Sequence, residues 1–301
     1  MKLKKTIRAA LAGTIAAATL LVAVSGQGQV IPAARAFTNG WRHAGIAGEI
    51  PAPDKIVNVK DYGARGDGTT NELAPINAAI AALSNKSGVV FFPAGLYLIP
   101  NNALNVPSNT VLRGERSFNT EIRITNLVAI QDHGIKITKG QSGSFIDIQS
   151  GCTTHSDTVT LTNTASFNVG DYAEIRSSND ASWGCSSWAL WGMGQIVQIT
   201  NVTSSNLTFV TPLRYSYNPG LFPMIRKISP IMNAGLENLR ISRVVVGTTT
   251  LRDNVNSIYF WYAVNCWVRG CEITNMFGSG VGVDYSANNE ITGNYIHHAV
   301  D

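Results

Sequence analysis

The most constraining feature of this sequence is a repeat of 23 residues near its C-terminal end. Short apolar clusters recur at this spacing, separated by Gly and Asn. The matching pairs are Ile258 and Val281, Phe260 and Val283, Asn265 and Asn288, Val268 and Ile291, and Ile273 and Ile296. A fixed period in the low twenties is typical of a solenoid in which each repeat is one coil. We therefore predict consecutive coils of a parallel β-helix, with Asn stacked on Asn at a bend.

An earlier segment extends this repeat. Residues 234–242 match residues 266–274 at an offset of 32, which is one period plus nine residues. The nine additional residues fall in the Gly- and Thr-rich stretch 246–254, which predicts a loop that projects from one corner of the coil. An ordinary β-sandwich with a chance internal match is the alternative, but agreement in residue class at seven aligned positions favours the coil.

The basic excess of the chain is confined to its start. Five of the 23 basic residues and none of the 19 acidic residues lie in residues 1–36, so the remainder carries 18 basic against 19 acidic residues. A near-neutral surface lacks the positive patch that nucleic acid binding requires. Only 14% of the residues are charged, so a neutral or weakly charged ligand rich in hydroxyl groups is the expected partner, and nucleic acid is not.

Residues 1–36 are organised like a secretory signal peptide. A basic start precedes an apolar run over residues 9–24, and Ala34 and Ala36 place small residues where a signal peptidase reads them. The run falls short of the ~20 residues that span a bilayer, so cleavage after Ala36 is favoured over an uncleaved anchor. We predict a secreted or periplasmic protein with no membrane attachment after cleavage, and a linker over residues 37–55.

Four cysteines follow the predicted cleavage site, in a compartment where disulfides form. They are Cys152, Cys185, Cys266 and Cys271. Four cysteines allow three pairings, and the sequence selects none. Cys271 occupies the repeat position that Asn294 holds one coil later, so a buried thiol and a bridge both fit there.

Ahead of the repeats, residues 57–99 combine a short strand, a glycine-rich turn, a helix and two buried strands. Polar and apolar residues alternate over residues 57–61, as in a strand. Apolar residues then recur at steps of three and four between Asn71 and Leu83, which predicts a helix with one apolar face. Its positions are Leu73, Ile76, Ile80 and Leu83. Two apolar runs predict the buried strands, at residues 89–92 and 96–99.

This segment carries two motifs, D-Y-G-A-R-G-D-G-T-T at residues 61–70 and G-V-V-F-F-P-A-G-L-Y-L-I at residues 88–99. Their order resembles the opening of the pectate-lyase superfamily domain shared by rhamnogalacturonases, alginate C5-epimerases and phage tailspikes. The resemblance implies an all-β, right-handed parallel β-helix over residues 56–301, its N-terminal mouth plugged by the helix. Where the family usually has paired Asp and a Thr, this chain has Asn71, Glu72 and Leu73, a departure that concerns helix capping.

The resemblance indicates a fold more strongly than a reaction. Asp61 and Asp67 in the first motif are better explained as turn and cap residues than as catalytic acids. Laid on the polygalacturonase branch, Asp301 falls on the second Asp of a catalytic pair, but Val300 replaces the first Asp and residues 278–280 replace the N-T-D motif. Polygalacturonase chemistry is therefore not expected. A lyase would need Ca²⁺ held by clustered acids; no such cluster is visible in the sequence, so the cofactor stays unknown.

Between about residues 140 and 217 the coil pattern stops, and alternating strands predict a small antiparallel β insertion. The strands are expected at residues 158–162, 172–176, 195–200 and 207–210. The loop between the second and third strands holds Trp183, Trp188 and Trp191 beside Cys185. Aromatic rings stack on sugar faces, so these residues are candidates for substrate binding. The alternative is that they pack the insertion against the helix.

Further site candidates follow from the strand pattern. Alternation over residues 257–262 sends Ile258, Phe260 and Tyr262 inward and leaves two aromatic residues outside. One coil later, Asp284 stacks over the second of them. The substrate-binding candidates here are Tyr259 and Trp261. The catalytic candidates are Asp284, His297, His298 and Asp301, because carboxylates and imidazoles exchange protons near neutral pH.

Two classes of function fit these observations. The first is an exported polysaccharide-acting enzyme, a lyase or glycoside hydrolase of pectin-like or other uronic-acid glycans. The second is a non-catalytic carbohydrate-binding or cell-surface β-helix protein. A phage tailspike is disfavoured by the signal peptide. A further coil would begin 23 residues after Val281, beyond Asp301, and a solenoid needs a cap over its last apolar layer, so we expect a C-terminal truncation.

Overall fold

The computed structural model describes eight stretches of the chain, which fall in one compact unit, Thr38–Asp301. They are residues 45–46, 49–50, 52–84, 86–100, 104–125, 133–141, 143–244 and 255–299. The predicted signal peptide, the whole corner loop at residues 246–254, and Asp301 lie outside these stretches. The side chains of Trp183 and Trp188 also lie outside the described part.

The fold opens with two strands and a helix, β1 (Lys55–Asn58), β2 (Asp67–Asn71) and α1 (Leu73–Ala81). The strand predicted over residues 57–61 ends at Asn58, because the Asn58 side chain accepts a hydrogen bond of 2.9 Å from Lys60 N and starts a 3-10 turn. The helix begins two residues later than predicted, where Asn71 Oδ1 accepts from Leu73 N at 3.0 Å. Among the described residues, no helix has the length and apolar character to cross a membrane.

Six strands follow the helix and build the first coils. They are β3 (Gly88–Phe92), β4 (Gly95–Pro100), β5 (Leu104–Asn105), β6 (Thr110–Gly114), β7 (Thr120–Thr125) and β8 (Ile135–Thr138). The apolar face of α1 packs over their interior, since Ile76 and Leu83 are buried and Leu73 and Ile80 contact the same core. The predicted capping helix is thereby confirmed.

Six more strands then form a closed antiparallel barrel. They are β9 (Ile146–Ser150), β10 (Thr158–Leu161), β11 (Tyr172–Ser177), β12 (Met193–Val202), β13 (Asn206–Phe209) and β14 (Met224–Ile228). The barrel has a core of its own, which includes Val159, Ile175, Leu207 and Ile225. The predicted insertion is confirmed, but it extends past residue 217 because β14 closes the barrel between β11 and β9.

The chain returns to the solenoid for its last coils. The strands are β15 (Ile231–Met232), β16 (Gly235–Glu237), β17 (Arg240–Arg243), β18 (Asn256–Trp261), β19 (Ala263–Val264), β20 (Trp267–Arg269), β21 (Glu272–Met276), β22 (Ser279–Asp284), β23 (Glu290–Thr292) and β24 (Tyr295–Ala299). Eight of them extend three parallel sheets, each built from successive coils, and β15 and β19 pair with each other in a separate two-stranded parallel sheet. Sheet A contains β1, β3, β6, β16, β20 and β23; sheet B contains β2, β4, β7, β17, β21 and β24; sheet C contains β5, β8, β18 and β22.

The strand register reproduces the sequence repeat. Val268 pairs with Ile291, and Leu236 pairs with Val268, so both the 23-residue and the 32-residue offsets are confirmed. Ile258 pairs with Ile135 across the barrel insertion, so the stack of coils continues as though the barrel were absent. Parallel strands with crossovers are right-handed in nearly all proteins, and the predicted parallel β-helix is the fold observed.

Asparagines mark one corner of the coils. Asn233, Asn265 and Asn288 all adopt the left-handed conformation, with φ of 55°, 54° and 54°, which Asn tolerates better than most residues. Asn233 Nδ2 donates to Asn109 Oδ1 at 3.1 Å. The predicted stacking of Asn on Asn is thus present.

Three cysteines are buried thiols, Cys152 in the barrel and Cys266 and Cys271 in the solenoid. Burial raises the pKa of Cys152 to about 11 and those of Cys266 and Cys271 to about 12. One coil later, Asn294 takes the place of Cys271, and its Oδ1 accepts from the Cys271 N–H at 2.9 Å. Of the two alternatives left open at this position, the structure shows the thiol.

Candidate functional site

The outer face of sheet A is covered. The Trp267 ring lies so close to Gly235 that an added Cβ there would come within 2.2 Å of it, and its Nε1 donates to Glu237 Oε1 at 2.9 Å. Ile46 and Ile50, upstream of β1, pack on this same face. This part of sheet A is therefore closed to a ligand.

On sheet C, Tyr259 points away from the central core as predicted, but it is only 7% exposed. Its ring stacks on His133 with 3.8 Å between ring centroids, and its hydroxyl donates to Asp284 Oδ2 at 2.7 Å. Trp261 is half-buried and packs in the cluster that joins the solenoid to the barrel. Asp284 is exposed and pairs with Trp261 in the predicted register.

The inward orientation predicted for Tyr262 is wrong. Tyr262 follows the end of β18 with a left-handed φ of 51°, which turns its side chain out of the strand alternation. The ring is buried, but it packs with Tyr172 and Ile228 of the barrel and lies outside the central core. Its hydroxyl donates to Glu174 Oε2 at 2.8 Å.

The predicted catalytic residues are divided between two sheets. His297 lies in β24 of sheet B, where it pairs with Thr274 as the repeat predicts. His298 follows in the left-handed conformation (φ 54°), as does Asn275 one coil earlier (φ 53°). Asp284 belongs to sheet C.

Sheet B carries an open polar cleft of about 320 Å³ that the sequence analysis did not single out. Its lining comes from β7, β17 and β21 and from the residue after β17. The lining residues are Glu121, Arg123, Arg240, Ser242, Arg243, Val244 and Asn275. The sequence feature that could have indicated this cleft is the alternation of charged residues with Ile in short strands, as in residues 121–123 and 240–241.

Opposite charges alternate along the stacked strands of the cleft. Glu121 Oε1 accepts from Arg123 Nε at 2.7 Å and also from the Ser242 hydroxyl. Arg240 Nε lies 4.0 Å from Glu121 and 3.6 Å from Glu272. Two arginines thus face two carboxylates, and Arg243, the third arginine of the lining, is buried.

The His297 imidazole lies next to Glu272, at the end of this row of alternating charges. His297 Nε2 is 3.0 Å from Glu272 Oε1, and the His297 ring stacks on Tyr295 with 4.1 Å between centroids. His297 Nδ1 contacts His298 Nδ1. A carboxylate that orients an imidazole in this way is the arrangement of a general base.

A buried polar chain connects the cleft to sheet C. The Arg243 guanidinium donates to the Asn256 carbonyl at 2.6 Å, and Asn256 Nδ2 lies 3.1 Å from His133 Nδ1. His133 in turn stacks on Tyr259. Hydrogen bonds and a ring contact therefore connect the sheet-B cleft to sheet C.

Asp67, in the first sequence motif, and Glu72, just after it, accept hydrogen bonds from backbone N–H groups. Asp67 Oδ1 accepts from the N–H groups of Thr69 and Thr70 at 2.9 and 2.8 Å, which holds the pKa of Asp67 well below its usual range. Glu72 is fully buried and accepts from the N–H groups of Arg65 and Gly66. The turn role predicted for Asp67 is confirmed.

The tryptophan-rich loop is described in part. Trp191 packs on Arg176, whose guanidinium carbon lies 4.6 Å from a Trp191 ring centroid. Trp183 and Trp188 lie in short 3-10 turns. Cys185 between them is exposed, and Asn179 Nδ2 lies 3.3 Å from its sulfur.

A Ca²⁺ site would require acids that converge on one point. Over the described stretches, no three side chains of His, Cys, Asp or Glu come together in that way. The residues present therefore do not fit a resident Ca²⁺, and no step below depends on one.

Residues 56–297 match the family described as Rhamnogalacturonase A/epimerase, pectate lyase-like. Mannuronan C5-epimerase AlgE3 of Azotobacter vinelandii is 38% identical over 76 residues, which cover 23% of this chain and 4% of that protein. The tailspike gp61 of Pseudomonas phage phi297 matches with 14% identity and a TM-score of 0.59, over 80% of this chain and 47% of its own. The gp54 tailspike of Acinetobacter baumannii bacteriophage AP22, solved with a capsular saccharide, matches with 11% identity and a TM-score of 0.50, over 82% and 50%.

This chain spans half or less of the length of each of these three proteins. At 14% and 11% identity, the similarity to the two tailspikes shows only that the fold is shared. The family match, in contrast, runs from β1 into β24 and so covers the capping helix, the barrel insertion and all three sheets. The chain therefore belongs to the rhamnogalacturonase A/epimerase, pectate lyase-like family.

Proposed function

We propose that this protein is an exported enzyme that acts on a uronic-acid polysaccharide by removing the proton next to the sugar carboxylate. The observation that carries the proposal is the His297–Glu272 pair beside Arg240 on the outer face of sheet B. Export rests on the signal peptide predicted in residues 1–36. Membership in the family supports a carbohydrate substrate.

Substrate binding is assigned to the sheet-B cleft. Arg123 and Arg240 are partly exposed there, and guanidinium groups bind carboxylates with paired, charge-assisted hydrogen bonds. Neighbouring strands lie ~4.8 Å apart, so an extended glycan that crosses the coils meets a new set of side chains on each strand. The two partly exposed guanidinium groups favour an acidic glycan over a neutral one.

Proton removal is assigned to the His297–His298 pair. When His297 Nε2–H donates to Glu272, His297 Nδ1 accepts from His298 Nδ1–H, and the lone pair on Nε2 of the exposed His298 takes the C5 proton. A guanidinium on the sugar carboxylate stabilises the negative charge that develops when the C5–H bond breaks. If the C4–O bond then breaks, a C4=C5 double bond forms and the chain is cleaved; if a proton returns from the opposite face, the sugar is epimerised.

The test uses the full-length protein with polygalacturonate, polymannuronate and polyguluronate in D₂O. Ultraviolet absorbance detects unsaturated ends, and NMR detects deuterium at C5. We expect one of these signals, reduced at least 100-fold in His297→Asn and in Arg240→Gln. His155→Asn, an exposed His in the barrel with the same type of change, is the matched control and should keep full activity. Reducing ends without unsaturation or exchange would instead indicate hydrolysis and would refute proton removal at C5.

A binding-only protein is the second candidate, and one observation favours it. The Glu121 carboxylate is already engaged by Arg123 and Ser242, so part of the cleft is an internally satisfied ion-pair ladder. In that case the polysaccharide would bind with micromolar affinity, the Arg240→Gln variant would weaken it, and none of the three products would form over long incubation.

A further inference from the structure

A second cationic surface lies where the barrel meets the solenoid. The guanidinium carbon of Arg176, on β11, lies 3.7 Å from the ring centroid of Phe145 and 4.6 Å from that of Trp191. Cation–π contact with two rings holds this guanidinium in a fixed orientation. The edge of the guanidinium, which carries its N–H donors, is the part left for a ligand.

The nearby carboxylate is already occupied. Glu174 Oε2 accepts from Arg226 Nε at 2.7 Å and from the Tyr262 hydroxyl at 2.8 Å. Arg226 also donates to Gln141 Oε1 at 3.0 Å. Arg226 therefore occupies this carboxylate, and the positive charge of Arg176 is left without an ion pair among the described residues.

Arg176 is the group that carries the unbalanced charge. Among the described residues, it makes no hydrogen bond or salt bridge, and its Nε is buried without a partner. Burial lowers the pKa of Arg176, because desolvation disfavours the charged form. An anion brought to this guanidinium would offset that desolvation and satisfy its donors.

An open aromatic surface lies on the other side of the junction. Tyr285, which follows β22, is 45% exposed and stacks on Tyr262 with 5.3 Å between ring centroids. The guanidinium carbon of Arg226 lies 5.8 Å from the Tyr262 ring centroid and 4.3 Å from that of Phe145, the ring that Arg176 also contacts. We name the surface formed by Phe145, Arg176, Trp191 and Tyr285 the barrel groove.

We infer that the barrel groove binds an acidic sugar unit, with its carboxylate on Arg176 and an apolar sugar face on Tyr285. The inference rests on the proposed function for the class of polymer, and it adds a second contact region separate from the sheet-B cleft. A carboxylated sugar fits this surface because it combines the anion that Arg176 lacks with a ring face that stacks on an exposed aromatic residue. The barrel then serves as a substrate-binding wall of the solenoid.

The test is calorimetric binding of polygalacturonate, alginate and neutral dextran to the full-length protein and its variants. We expect Arg176→Gln to weaken binding of both carboxylated polymers at least tenfold and to reduce the salt dependence of binding. Tyr285→Ala should weaken binding at least threefold, and it covers the case in which Arg176→Gln fails to fold. The matched control is Arg116→Gln, since Arg116 lies over the exposed Phe118 ring at 5.6 Å in the turn between β6 and β7.

Unchanged binding of the carboxylated polymers to both Arg176→Gln and Tyr285→Ala would overturn the inference, as would an equal loss in Arg116→Gln. The two proposals fail separately. If the wild type forms no product but Arg176→Gln loses polygalacturonate binding, the barrel groove stands and the proposed activity falls. If product forms and the KM of Arg176→Gln and Tyr285→Ala is unchanged, the barrel groove falls and the activity stands.

Discussion

Tyr259 and Asp284 are joined by a hydrogen bond of 2.7 Å that crosses between neighbouring strands of sheet C. The strand register pairs Asp284 with Trp261, so the hydroxyl reaches diagonally from one coil to the next. Burial and this hydrogen bond to a carboxylate both raise the pKa of Tyr259. The Asp284 carboxylate is thus a structural acceptor and, because it is exposed, also a group that a glycan can contact.

Two variants separate these roles. Tyr259→Phe removes only the internal hydrogen bond, and we expect it to lower the free energy of unfolding by about 1 kcal/mol while glycan affinity changes less than twofold. Asp284→Ala should reduce glycan binding or turnover at least tenfold. Denaturation curves and calorimetric titration measure the two effects. If Asp284→Ala binds glycan like the wild type, the carboxylate is structural only.

Trp261→Ala is expected to reduce glycan binding at least tenfold and also to lower the melting temperature. The second effect follows because the half-buried Trp261 ring packs between the solenoid and the barrel, and truncation of a packed Trp costs about 3–5 kcal/mol. Thermal unfolding and titration on the same sample measure both. A full loss of affinity with no change in melting would show that the ring contributes to binding alone.

The position of a residue in the stack should decide how much a core charge costs. Ile273 is fully buried, whereas Ile291, one coil later on sheet A, is 43% exposed. An unpaired charge in an apolar core costs several kcal/mol, so Ile273→Asp should abolish soluble expression. Ile291→Asp should express and melt at a lower temperature than the wild type. Soluble yield and thermal unfolding are the measurements, and equal behaviour of the two variants would contradict the assigned burial.

The covered face of sheet A depends on one glycine. A Cβ on Gly235 would lie 2.2 Å from the Trp267 ring, whereas a Cβ on Gly140 meets nothing within 4 Å. Gly235→Ala should therefore lower the free energy of unfolding by about 1–3 kcal/mol, the usual cost of overpacking. Gly140→Ala is the control and should stay within about 0.5 kcal/mol of the wild type. Urea denaturation measures both, and similar values would mean that Trp267 moves aside freely.

The ion pair at the barrel junction should show strong coupling. Glu174 and Arg226 are both buried and lie 2.6 Å apart, and removal of one partner leaves an uncompensated charge that costs about 3–5 kcal/mol. Glu174→Gln alone should destabilise the protein by that amount. The double variant Glu174→Gln/Arg226→Met should recover part of the loss. Chemical denaturation of the full cycle measures the coupling, and simple additivity would contradict it.

Stability should fall at alkaline pH. Unfolded thiols titrate near pH ~8.5, while burial keeps Cys266 and Cys271 protonated up to about 12. As pH rises above the unfolded value, the unfolded state loses protons that the folded state retains, so unfolding becomes more favourable. Urea denaturation between about pH 8 and pH 11 should show this decline, and Cys266→Ala/Cys271→Ala should make it shallower. An identical slope in the double variant would assign the decline to other groups.

The solenoid was predictable because the spacing of apolar residues in the sequence determines the register of its strands. Each inward residue must lie over an apolar residue of the preceding coil, so Val268 and Ile291 or Ile273 and Ile296 keep a fixed spacing. The capping helix was predictable for a similar reason, since its buried stripe repeats with the helical period. The missed barrel strand, Met224–Ile228, has charged residues in its middle that interact at the junction with the solenoid.

The site was less predictable because outward residues carry no such constraint. Strand alternation correctly predicted that Tyr259 and Trp261 point outward. It could not predict their solvent exposure, because exposure depends on which residues cover them. Tyr259 is covered by His133, which lies 126 positions earlier in the chain. Tyr262 escaped alternation through its left-handed φ. Glu121, Arg240 and Glu272 come together only when three coils are aligned, one of them before the barrel and two after it.

The barrel closes on itself, and Ile258 pairs directly with Ile135 across it. Among the described strands, none of the barrel shares a sheet with the solenoid, so the insertion can change in length or sequence without shifting the register of any coil. Selection can therefore alter the barrel independently of the scaffold that holds the sheet-B cleft. Descendants of one ancestral solenoid could in this way diverge in the glycans they recognise while the stack of coils is inherited unchanged.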